Sequence, residues 1–445
     1  MLMTHTDKTE ASCLLETGAL YHNRIGLVAP TGELGMVFAG FKKGAFSLYF
    51  GDAPIYHFDL EGRWQRAFLE PTHYLKSLDT SVYAIDRTRE DGSMVMRRRA
   101  LEEHEIENLD LSVRDVALKL SRELDAGRLE RRNPPAGKAQ ALSDDGLRAI
   151  LERIAGWDAA AWHRHRQNYR SVYGPLPFLP PDCQNAVVLQ ATEGEANGVS
   201  FGCRDPATPF YRSPAALEDH ALKVARLMGR RLLQNRIAFL TGGDLLDRPD
   251  DLLKYLEIIS RVFAIADGSS KKKSASDDVT PQLEGIHIFQ DIFPVAGLHL
   301  DALRAYRERH LIHVSLGVES GDQRVRNLFR NTGSNADLHS LVSNLKAAEI
   351  RVSLLFLVGA GGVDLADTHV EKTSQLLGSL EIGRGDAVFL LDERELDDLS
   401  PSDPATGSLT HSAWEQQLGR FKEALAPLRG RGVKVLPYSL VKQWT

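Results

Sequence analysis

Three carboxylates that follow predicted strands are the residues best suited to chemistry in this sequence. Glu195 lies in the segment "LQATEGEANGVSFGC", Asp244 in "LTGGDLLD" and Glu319 in "SLGVESGDQ". Each segment begins with apolar residues and continues with glycine and polar residues, which is typical of a strand that ends in a ligand-binding loop. Carboxylates held near one another can act as general acid and general base. The pattern therefore predicts a polar site built from the ends of several strands.

The segments that carry these carboxylates belong to a repeating pattern of strands and helices. From about residue 184, the apolar runs "NAVVLQA", "RIAFLT", "EGIHIFQD", "LIHVSLGVE", "IRVSLLFLVG" and "DAVFLLD" alternate with helical segments. About six such units indicate an α/β fold with a parallel sheet, because strands covered on both faces are apolar throughout. A partial barrel, a full barrel and a doubly wound sheet all fit this pattern. In each of them, ligands bind at the carboxyl ends of the strands.

Glycines follow two of the predicted strands. Gly242 and Gly243 follow the second strand, while Gly359, Gly361 and Gly362 follow the fifth in "VGAGG". Glycine allows the backbone to approach a ligand closely, and it is also common where a tight turn joins a strand to a helix. Because polar or glycine-rich ends recur along successive strands, the pattern favours one shared ligand site.

The composition limits the classes of function. The chain has 445 residues and a net charge of −6, with a pI near 6.2, so general attraction to nucleic acids or to anionic membranes is not expected. No apolar run approaches the roughly 20 residues of a membrane span, and the N-terminus lacks the features of a signal peptide. The sequence has three cysteines, Cys13, Cys183 and Cys203, so a disulfide framework is not expected. We expect a cytoplasmic protein.

The pattern divides the chain into five parts. We expect a flexible tail over residues 1–20, a small β-rich domain over 21–100, a helical connector over 101–176, the α/β domain over 177–400 and an extension with a helix and a strand over 401–445. Ser- and Lys-rich residues 266–282 predict a disordered insertion before the third strand.

Two local segments have a structural and a functional interpretation. "HFDLEGRW", from His57 to Trp64, fits a turn between two strands better than the lining of a site. "WHRHR" contains His163 and His165, which are two apart and do not share a face of a helix. We therefore expect solvated helix charges there, not a metal pair.

The segment "HVSLGVESGDQRVRNLFRNTGSNADLHSLVSNLKAAEIRVSLLFLVGAGG" resembles the fourth and fifth strands of radical S-adenosylmethionine (radical SAM) enzymes. The resemblance covers residues 177–391, and it implies a partial (βα)6 TIM-like barrel with an added N-terminal β-rich and helical region. It also implies that SAM binds at the strand ends. The residues that it places around SAM are Gly242, Gly243 and Asp244 at the amino group, Glu319 and Ser320 at the ribose, and Gly359, Gly361 and Gly362 beside the adenine.

Further positions agree with this resemblance. "FYRSP" matches the start of the first barrel helix, where Ser213 as N-cap and Pro214 at the first helical position also make physical sense. In several subgroups of the family, a His and a Thr occupy the positions of His369 and Thr373.

The loop after the first strand departs from the family. Radical SAM enzymes carry three cysteines spaced C-x3-C-x2-C there, which bind a 4Fe–4S cluster through thiolates. In this sequence Glu195, Val199 and Gly202 occupy those three positions. Phe201 occupies the aromatic position that accompanies the motif, and Cys203 is one residue out of phase. Cys183 precedes the first strand, so we expect it at the opposite end of the barrel.

Three functions remain open at this point. The first is a cluster-less, non-radical pseudoenzyme that binds a small-molecule ligand, SAM or another compound, or a partner protein. The second is a barrel enzyme whose Glu195, Asp244 and Glu319 perform non-radical acid–base chemistry. The third is a radical SAM enzyme whose 4Fe–4S cluster is held in another way. The degenerate motif favours the first, because no radical forms from SAM without an electron donor.

Overall fold

The computed structural model describes most of the chain. The described residues are 18–19, 24–28, 36–42, 44–90, 93–132, 143–176, 178–193, 210–265, 278–279, 283–291, 293, 298–396 and 409–439.

The N-terminal part forms a nine-stranded antiparallel sheet in which consecutive strands β2 to β9 pair as hairpins. Side chains alternate between buried and partly exposed along β4, where Phe46 and Leu48 are buried, because successive residues of a strand point to opposite faces. β10 pairs with β2 at one edge, while β1 lies outside this sheet. The strands are β1 (Gly18–Ala19), β2 (Arg24–Val28), β3 (Met36–Lys42), β4 (Ala45–Phe50), β5 (Ile55–Asp59), β6 (Trp64–Leu69), β7 (Thr72–Lys76), β8 (Val82–Glu90), β9 (Ser93–Ala100) and β10 (Glu130–Arg132).

Three helices, α1 (Glu103–Asp125), α2 (Asp144–Ala155) and α3 (Ala159–Val172), cover this sheet and share one hydrophobic core with it. Within α3, His163 is exposed but His165 is buried, with Nε2 at 2.8 Å from the Leu78 carbonyl oxygen. The expectation of solvated charges is therefore wrong for His165, because the inner face of α3 packs on the turn after β7.

The segment from His57 to Trp64 contains the turn between β5 and β6, as the sequence indicates, and this turn contacts the second part of the chain. Arg63 is buried, and its two terminal nitrogens donate to the carbonyl oxygens of Leu227 and Met228 at 2.8 and 2.6 Å. The turn therefore fastens the antiparallel sheet to the C-terminal end of a helix of the α/β part.

The α/β part contains a seven-stranded sheet in which every pairing is parallel. Its strands follow one another in chain order, without the reversal that defines a doubly wound sheet, so that alternative does not fit. The predicted mixed α/β class is confirmed, and the C-terminal strand joins the same sheet. The strands are β11 (Val187–Gln190), β14 (Ala238–Thr241), β16 (Ile286–Gln290), β17 (Leu311–Glu319), β18 (Arg351–Val358), β19 (Ala387–Asp392) and β20 (Lys434–Tyr438).

Two small pairs of strands lie outside both sheets. β12 (Thr192–Glu193) pairs with β13 (Phe210–Tyr211), and β15 (Asp278–Val279) pairs with β1. The second pair links the N-terminal region to the predicted insertion, most of which lies outside the described residues.

Helices follow the strands of the parallel sheet and bury their apolar faces against it. Ser213 caps the first of them by accepting a hydrogen bond from the Ala216 N–H, and Pro214 is its first residue, as the sequence predicts. None of the described helices combines the length and apolar character that a membrane span needs. The helices are α4 (Pro214–Met228), α5 (Pro249–Phe263), α6 (Leu300–Glu308), α7 (Gln323–Leu328), α8 (Asn335–Ala347), α9 (Gly362–Ser379), α10 (His411–Ala424) and α11 (Ala426–Gly430).

Candidate functional site

The predicted site residues that the structure describes lie at the carboxyl edge of the parallel sheet. Their order along the chain is Gly242, Gly243 and Asp244 after β14, Glu319 and Ser320 at the end of β17, and Gly359, Gly361 and Gly362 after β18. Glu195, Val199, Phe201, Gly202 and Cys203 lie outside the described residues. The parallel direction of the strands therefore brings three of the predicted segments to one edge.

The two glycines after β14 leave space for side chains of β12 and β13. Gly242 and Gly243 have φ angles of +111° and +94°, which favour glycine. A Cβ on Gly242 would lie 2.5 Å from Thr192 Oγ1, and one on Gly243 would lie 2.2 Å from Tyr211 Oη. The space beside both glycines is thus filled by Thr192 and Tyr211, which the sequence pattern did not indicate.

Asp244 joins the ends of the second and third strands of the sheet. Its side chain is buried, and Oδ1 accepts a hydrogen bond of 2.6 Å from the Asp291 N–H, just after β16. A charged acceptor strengthens such a bond. This carboxylate therefore fixes the backbone of the neighbouring strand end.

Glu319 is fully buried at a distortion of its strand. The register between β17 and β18 shifts between Gly317 and Glu319, and Glu319 has a φ of +55°, which is uncommon for a residue with a side chain. Its Oε2 accepts a hydrogen bond of 2.7 Å from Asn331 Nδ2. The distortion and Asn331 together fix the direction of this carboxylate.

Ser320 links the end of the fourth strand to α9. Its hydroxyl lies 2.7 Å from His369 Nδ1 and accepts a hydrogen bond of 2.9 Å from the Asp322 N–H. His369 Nε2 lies 2.8 Å from the Leu357 carbonyl oxygen, so Nε2 carries the proton and Nδ1 accepts from Ser320. Burial lowers the pKa of His369 to about 4, which keeps the ring neutral.

The residue after Ser320 approaches α9 very closely. The Gly321 N–H donates to Thr373 Oγ1 at 2.8 Å. A Cβ on Gly321 would lie 2.4 Å from the Lys372 carbonyl oxygen. His369 and Thr373, which the resemblance singles out, therefore both bind the end of the fourth strand.

Asp322 caps the N-terminus of α7, and its charge is held by two basic side chains. Its Oδ1 accepts from the Arg324 N–H at 3.0 Å, and its Oδ2 pairs with Arg324 Nη2 at 2.7 Å and with Lys372 Nζ at 3.2 Å. The hydrogen bond from Arg324 is the main cause that lowers the pKa of Asp322 below its ordinary value. Sequence reasoning did not single out this residue.

The glycines after β18 also contact other residues of the chain. The Gly359 N–H donates to Gln417 Oε1 at 2.7 Å, and a Cβ at this position would lie 3.4 Å from Trp414 Cδ1. Gly361 has a φ of +85°, and its Cβ would lie 2.9 Å from Val325 Cγ2. Val325 lies on α7 and Trp414 on α10, so these glycines allow both helices to pack on the strand end.

At the amino edge of the sheet, the structure shows a polar cluster that the sequence analysis missed. Asp182, in a short 3-10 helix before β11, contacts side chains from β17 and β18. Its Oδ2 lies 2.9 Å from His313 Nε2 and accepts from Ser353 Oγ at 2.7 Å, while its Oδ1 accepts from Ser315 Oγ at 3.4 Å.

Cys183 and His287 extend this cluster. Cys183 is fully buried, and its Sγ lies 3.7 Å from His287 Nδ1 and 3.7 Å from Asp182 Oδ1. The rings of His287 and His313 stack with centroids 4.6 Å apart. Among the described residues, Asp182, His287 and His313 are the one group of three metal-ligating side chains whose donor atoms all lie within 4.8 Å of one another.

The buried environment sets the protonation of this cluster. Burial lowers the pKa of His287 to about 3, and the neighbouring His313 adds to this shift. Burial raises the pKa of Asp182, but the hydrogen bond and charge of His313 outweigh it, so this pKa lies below its ordinary value. The sequence did contain a signal for this cluster. "GIHIFQ" and "LIHVSL" each place a histidine near the start of an otherwise apolar strand.

The fold and the site define an α/β protein with a parallel sheet in chain order, a polar carboxyl edge and a second polar cluster at the amino edge. A scan against models of protein families finds no match, and a search of curated proteins finds none either.

A comparison with solved structures finds chains that are similar to this one. The chain is similar to coproporphyrinogen III oxidase (HemN) from Escherichia coli, described as a radical SAM enzyme, at 13% identity and a TM-score of 0.31 over 45% of this chain and 42% of the enzyme. It is also similar to the FeFe-hydrogenase maturase HydG from Carboxydothermus hydrogenoformans, at 15% identity and a TM-score of 0.34 over 76% of this chain and 74% of that protein. The chain thus spans less than half of the length of the first of these proteins. A radical SAM enzyme is among the structural neighbours.

Proposed function

We propose that this chain is a cluster-less protein on a radical SAM-like partial barrel, which binds a small ligand at its carboxyl edge and generates no radical. The position of Cys183 is the observation that carries this proposal. Its thiol is fully buried in the amino-edge cluster, against His287 in the first half of β16. The distance from His287 to Gln290, at the carboxyl end of that strand, is about 10 Å at roughly 3.3 Å per residue.

The number of cysteines limits whether the chain can hold a cluster of the family type. The sequence has three cysteines, and Cys183 is held at the edge opposite to the loop that the family uses for its cluster. Only Cys13 and Cys203 remain, and the family motif needs three thiolates because iron–sulfur clusters are held by soft anionic sulfur. The residues of this chain therefore do not fit a cluster of the family type.

The amino-edge contacts support a curved, barrel-like sheet. Asp182 lies just before β11, yet it contacts Ser353 on β18. In a flat sheet, β11 and β18 would be separated by four strand spacings, or about 19 Å at 4.8 Å each. Cys183, the residue after Asp182, contacts His287 on β16. A segment that reaches three strands of the sheet from one position fits the concave interior of a partial barrel.

The hydrogen bonds at the carboxyl edge favour binding over acid–base chemistry. Asp244 Oδ1 holds the Asp291 N–H, and Glu319 Oε2 holds Asn331. Both carboxylates are buried and serve the backbone or a neighbouring side chain. These hydrogen bonds fix both carboxylates in place, so we infer that they present a fixed negative charge to a bound ligand instead of exchanging protons with it.

Anaerobic reconstitution with iron and sulfide tests the absence of a cluster. We expect the wild-type chain to show no broad absorption near about 400 nm and to form no 5′-deoxyadenosine from SAM with dithionite. The triple variant Glu195→Cys, Val199→Cys, Gly202→Cys restores the family spacing and is the matched control. A cluster in the wild type at the level of the triple variant would contradict the proposal.

Titration with SAM tests the nature of the ligand. We expect calorimetric binding and a rise in Tm, because a ligand that binds only the folded state stabilises it. Asp244→Asn keeps an acceptor for the Asp291 N–H but removes the charge that would face the SAM ammonium group. We expect this variant to bind SAM about tenfold more weakly or worse, since a charged hydrogen bond contributes about 1.5–3 kcal/mol.

Asp247→Asn is the control for the Asp244 variant, because Asp247 is an exposed carboxylate at the end of the short 3-10 helix that directly follows Asp244. It should bind SAM as the wild type does. The absence of heat and of a Tm shift with wild-type protein would remove SAM as the ligand and leave a different small molecule or a partner protein.

A further inference from the structure

We propose that Asp182, His287 and His313, with Cys183 as fourth ligand, form a zinc site at the amino edge of the parallel sheet. This site is separate from the carboxyl edge, and it does not depend on the function proposed for that edge.

Two distances between donor atoms can be compared with those of tetrahedral zinc, one near the ideal value and one shorter. With Zn–N bonds near 2.1 Å and Zn–S bonds near 2.3 Å, a tetrahedral angle separates two nitrogen or oxygen ligands by about 3.4 Å and a nitrogen from a sulfur by about 3.6 Å. Cys183 Sγ lies 3.7 Å from His287 Nδ1, and Asp182 Oδ2 lies 2.9 Å from His313 Nε2. Donor atoms of Asp182, His287 and His313 lie within 4.8 Å of one another, and Cys183 Sγ lies 3.7 Å from both Asp182 Oδ1 and His287 Nδ1. The thiol therefore completes the proposed set once a side-chain movement brings it towards His313.

The types of donor select the metal. Two imidazoles, one carboxylate and one thiol form a borderline-soft set, which suits zinc better than the oxygen-only sites of calcium or magnesium. Cys183, His287 and His313 are each less than 10% exposed, so the site is closed to solvent on most sides. A closed site with four protein ligands is typical of structural zinc. Binding requires the Cys183 thiol to release its proton to solvent.

Two serines orient the carboxylate of the site. Ser353 Oγ donates to Asp182 Oδ2 at 2.7 Å and Ser315 Oγ donates to Asp182 Oδ1 at 3.4 Å. Hydrogen bonds to a ligating group from residues that do not touch the metal fix its direction and raise affinity.

The location of the cluster also argues for a bound ion. The interior of a parallel barrel is normally filled by branched apolar side chains. Here the amino-terminal halves of β16 and β17 instead present His287 and His313, stacked against each other. A zinc ion would stabilise both imidazoles and tie the segment before β11 to the strands that it crosses.

Metal analysis of the untagged full-length protein tests this site. We expect about one zinc ion per chain after purification, and rebinding of zinc but not magnesium after removal with a chelator. Cobalt added to the metal-free protein should produce a thiolate-to-cobalt absorption band, which Cys183→Ala should abolish. The double variant His287→Gln, His313→Gln should lose the zinc, while His220→Gln, which changes a buried histidine elsewhere, should keep it.

A variant that leaves all four ligands in place separates a loss of zinc affinity from misfolding of the protein. We expect Ser353→Ala to weaken zinc affinity by about 10–100-fold, as loss of an orienting hydrogen bond does. Zinc retained by the double variant, a cobalt complex of folded wild type without the thiolate band, or iron in place of zinc would each overturn the proposal.

Discussion

Ser320 is the residue whose hydroxyl holds the end of the fourth strand to α9. It donates to His369 Nδ1 and accepts from the Asp322 N–H. We expect Ser320→Ala to lower the free energy of unfolding by about 1–3 kcal/mol, because the buried Asp322 N–H loses its acceptor and His369 Nδ1 keeps only a 3.5 Å contact with Thr373 Oγ1. Urea denaturation of the variant and the wild type measures this difference.

Ser374→Ala is the matched control for this change. Ser374 lies on the same helix, and its hydroxyl donates to the Val370 carbonyl oxygen, which the helix already uses. We expect an effect below about 0.5 kcal/mol, as for most substitutions away from a special feature. Equal losses in both variants would show that Ser320 has no special role at the strand end.

At the scale of single residues, the sequence predicted which residues lie at the strand ends but not which residues they contact. Glu319 and Ser320 could be placed at a strand end because the mainly apolar run "LIHVSLGV" ends just before them. The contact of Glu319 with Asn331 depends on the bulge in β17, and that of Ser320 with His369 depends on where α9 crosses. Neither distance follows from a local pattern.

At the scale of elements, Gly321 controls how closely α9 approaches the fourth strand. A Cβ there would lie 2.4 Å from the Lys372 carbonyl oxygen and 2.6 Å from Thr373 Cα, which are backbone atoms. We expect Gly321→Ala to cost about 1–3 kcal/mol of unfolding free energy, because α9 must shift to relieve the overlap. Thermal and urea unfolding would both report this loss.

Gly378→Ala provides the opposite case in the same helix. A Cβ on Gly378 meets no atom within 4 Å. We expect this variant to be neutral or more stable by up to about 1 kcal/mol, since alanine favours the helix over glycine. A Gly321→Ala variant as stable as Gly378→Ala would contradict the close approach.

The elements themselves were largely predictable, whereas the amino-edge cluster was not. Near-continuous apolar runs mark the first six strands of the parallel sheet, and Ser213 with Pro214 marks the start of α4. The cluster joins Asp182, from before the first strand, to Ser353 on the fifth. Periodicity describes neighbours along the chain, so it contains no information about a segment that crosses beneath several strands.

At the scale of the whole molecule, Arg63 joins the antiparallel sheet to the α/β part. Its guanidinium pairs with the buried Asp59 at 2.6 Å and donates to the carbonyl oxygens of Leu227 and Met228, at the end of α4. We expect Arg63→Met to cost about 3–5 kcal/mol of unfolding free energy, because it leaves a buried charge without its partner. Denaturation followed by circular dichroism measures this cost.

The exposed pair of Arg236 and Glu284 is the comparison for Arg63. Arg236→Met should cost less than about 1 kcal/mol, since exposed ion pairs contribute little. If Arg63→Met were equally mild, the contact between the two parts of the chain would not contribute to stability.

The pH dependence of stability is also a property of the whole molecule, because buried histidines occur in both parts of the chain. Burial lowers the pKa of His165 to about 4, with Arg63 adding to the shift, and it lowers the pKa of His369 to about 4. Burial likewise lowers the pKa of His220 to about 3, assisted by Arg212. All three lie outside the proposed zinc site.

The direction of the effect follows from proton binding by the two states. Below the ordinary histidine pKa of about 6.5, the unfolded chain binds protons that the folded chain excludes, so stability falls as the pH drops from about 6.5 towards 4. Each of these histidines contributes a slope of about 1.4 kcal/mol per pH unit within that window. Asp322, whose pKa is lowered by Arg324, stabilises the fold above its ordinary pKa and loses this contribution only at lower pH.

Urea denaturation at pH 7 and at pH 5 separates these contributions. We expect a clear loss of unfolding free energy at pH 5, and a smaller loss in His220→Gln, because that variant has one fewer buried group to protonate on unfolding. Stability that stays constant between pH 7 and pH 5 would mean that these histidines are as accessible to protons in the folded protein as in the unfolded chain.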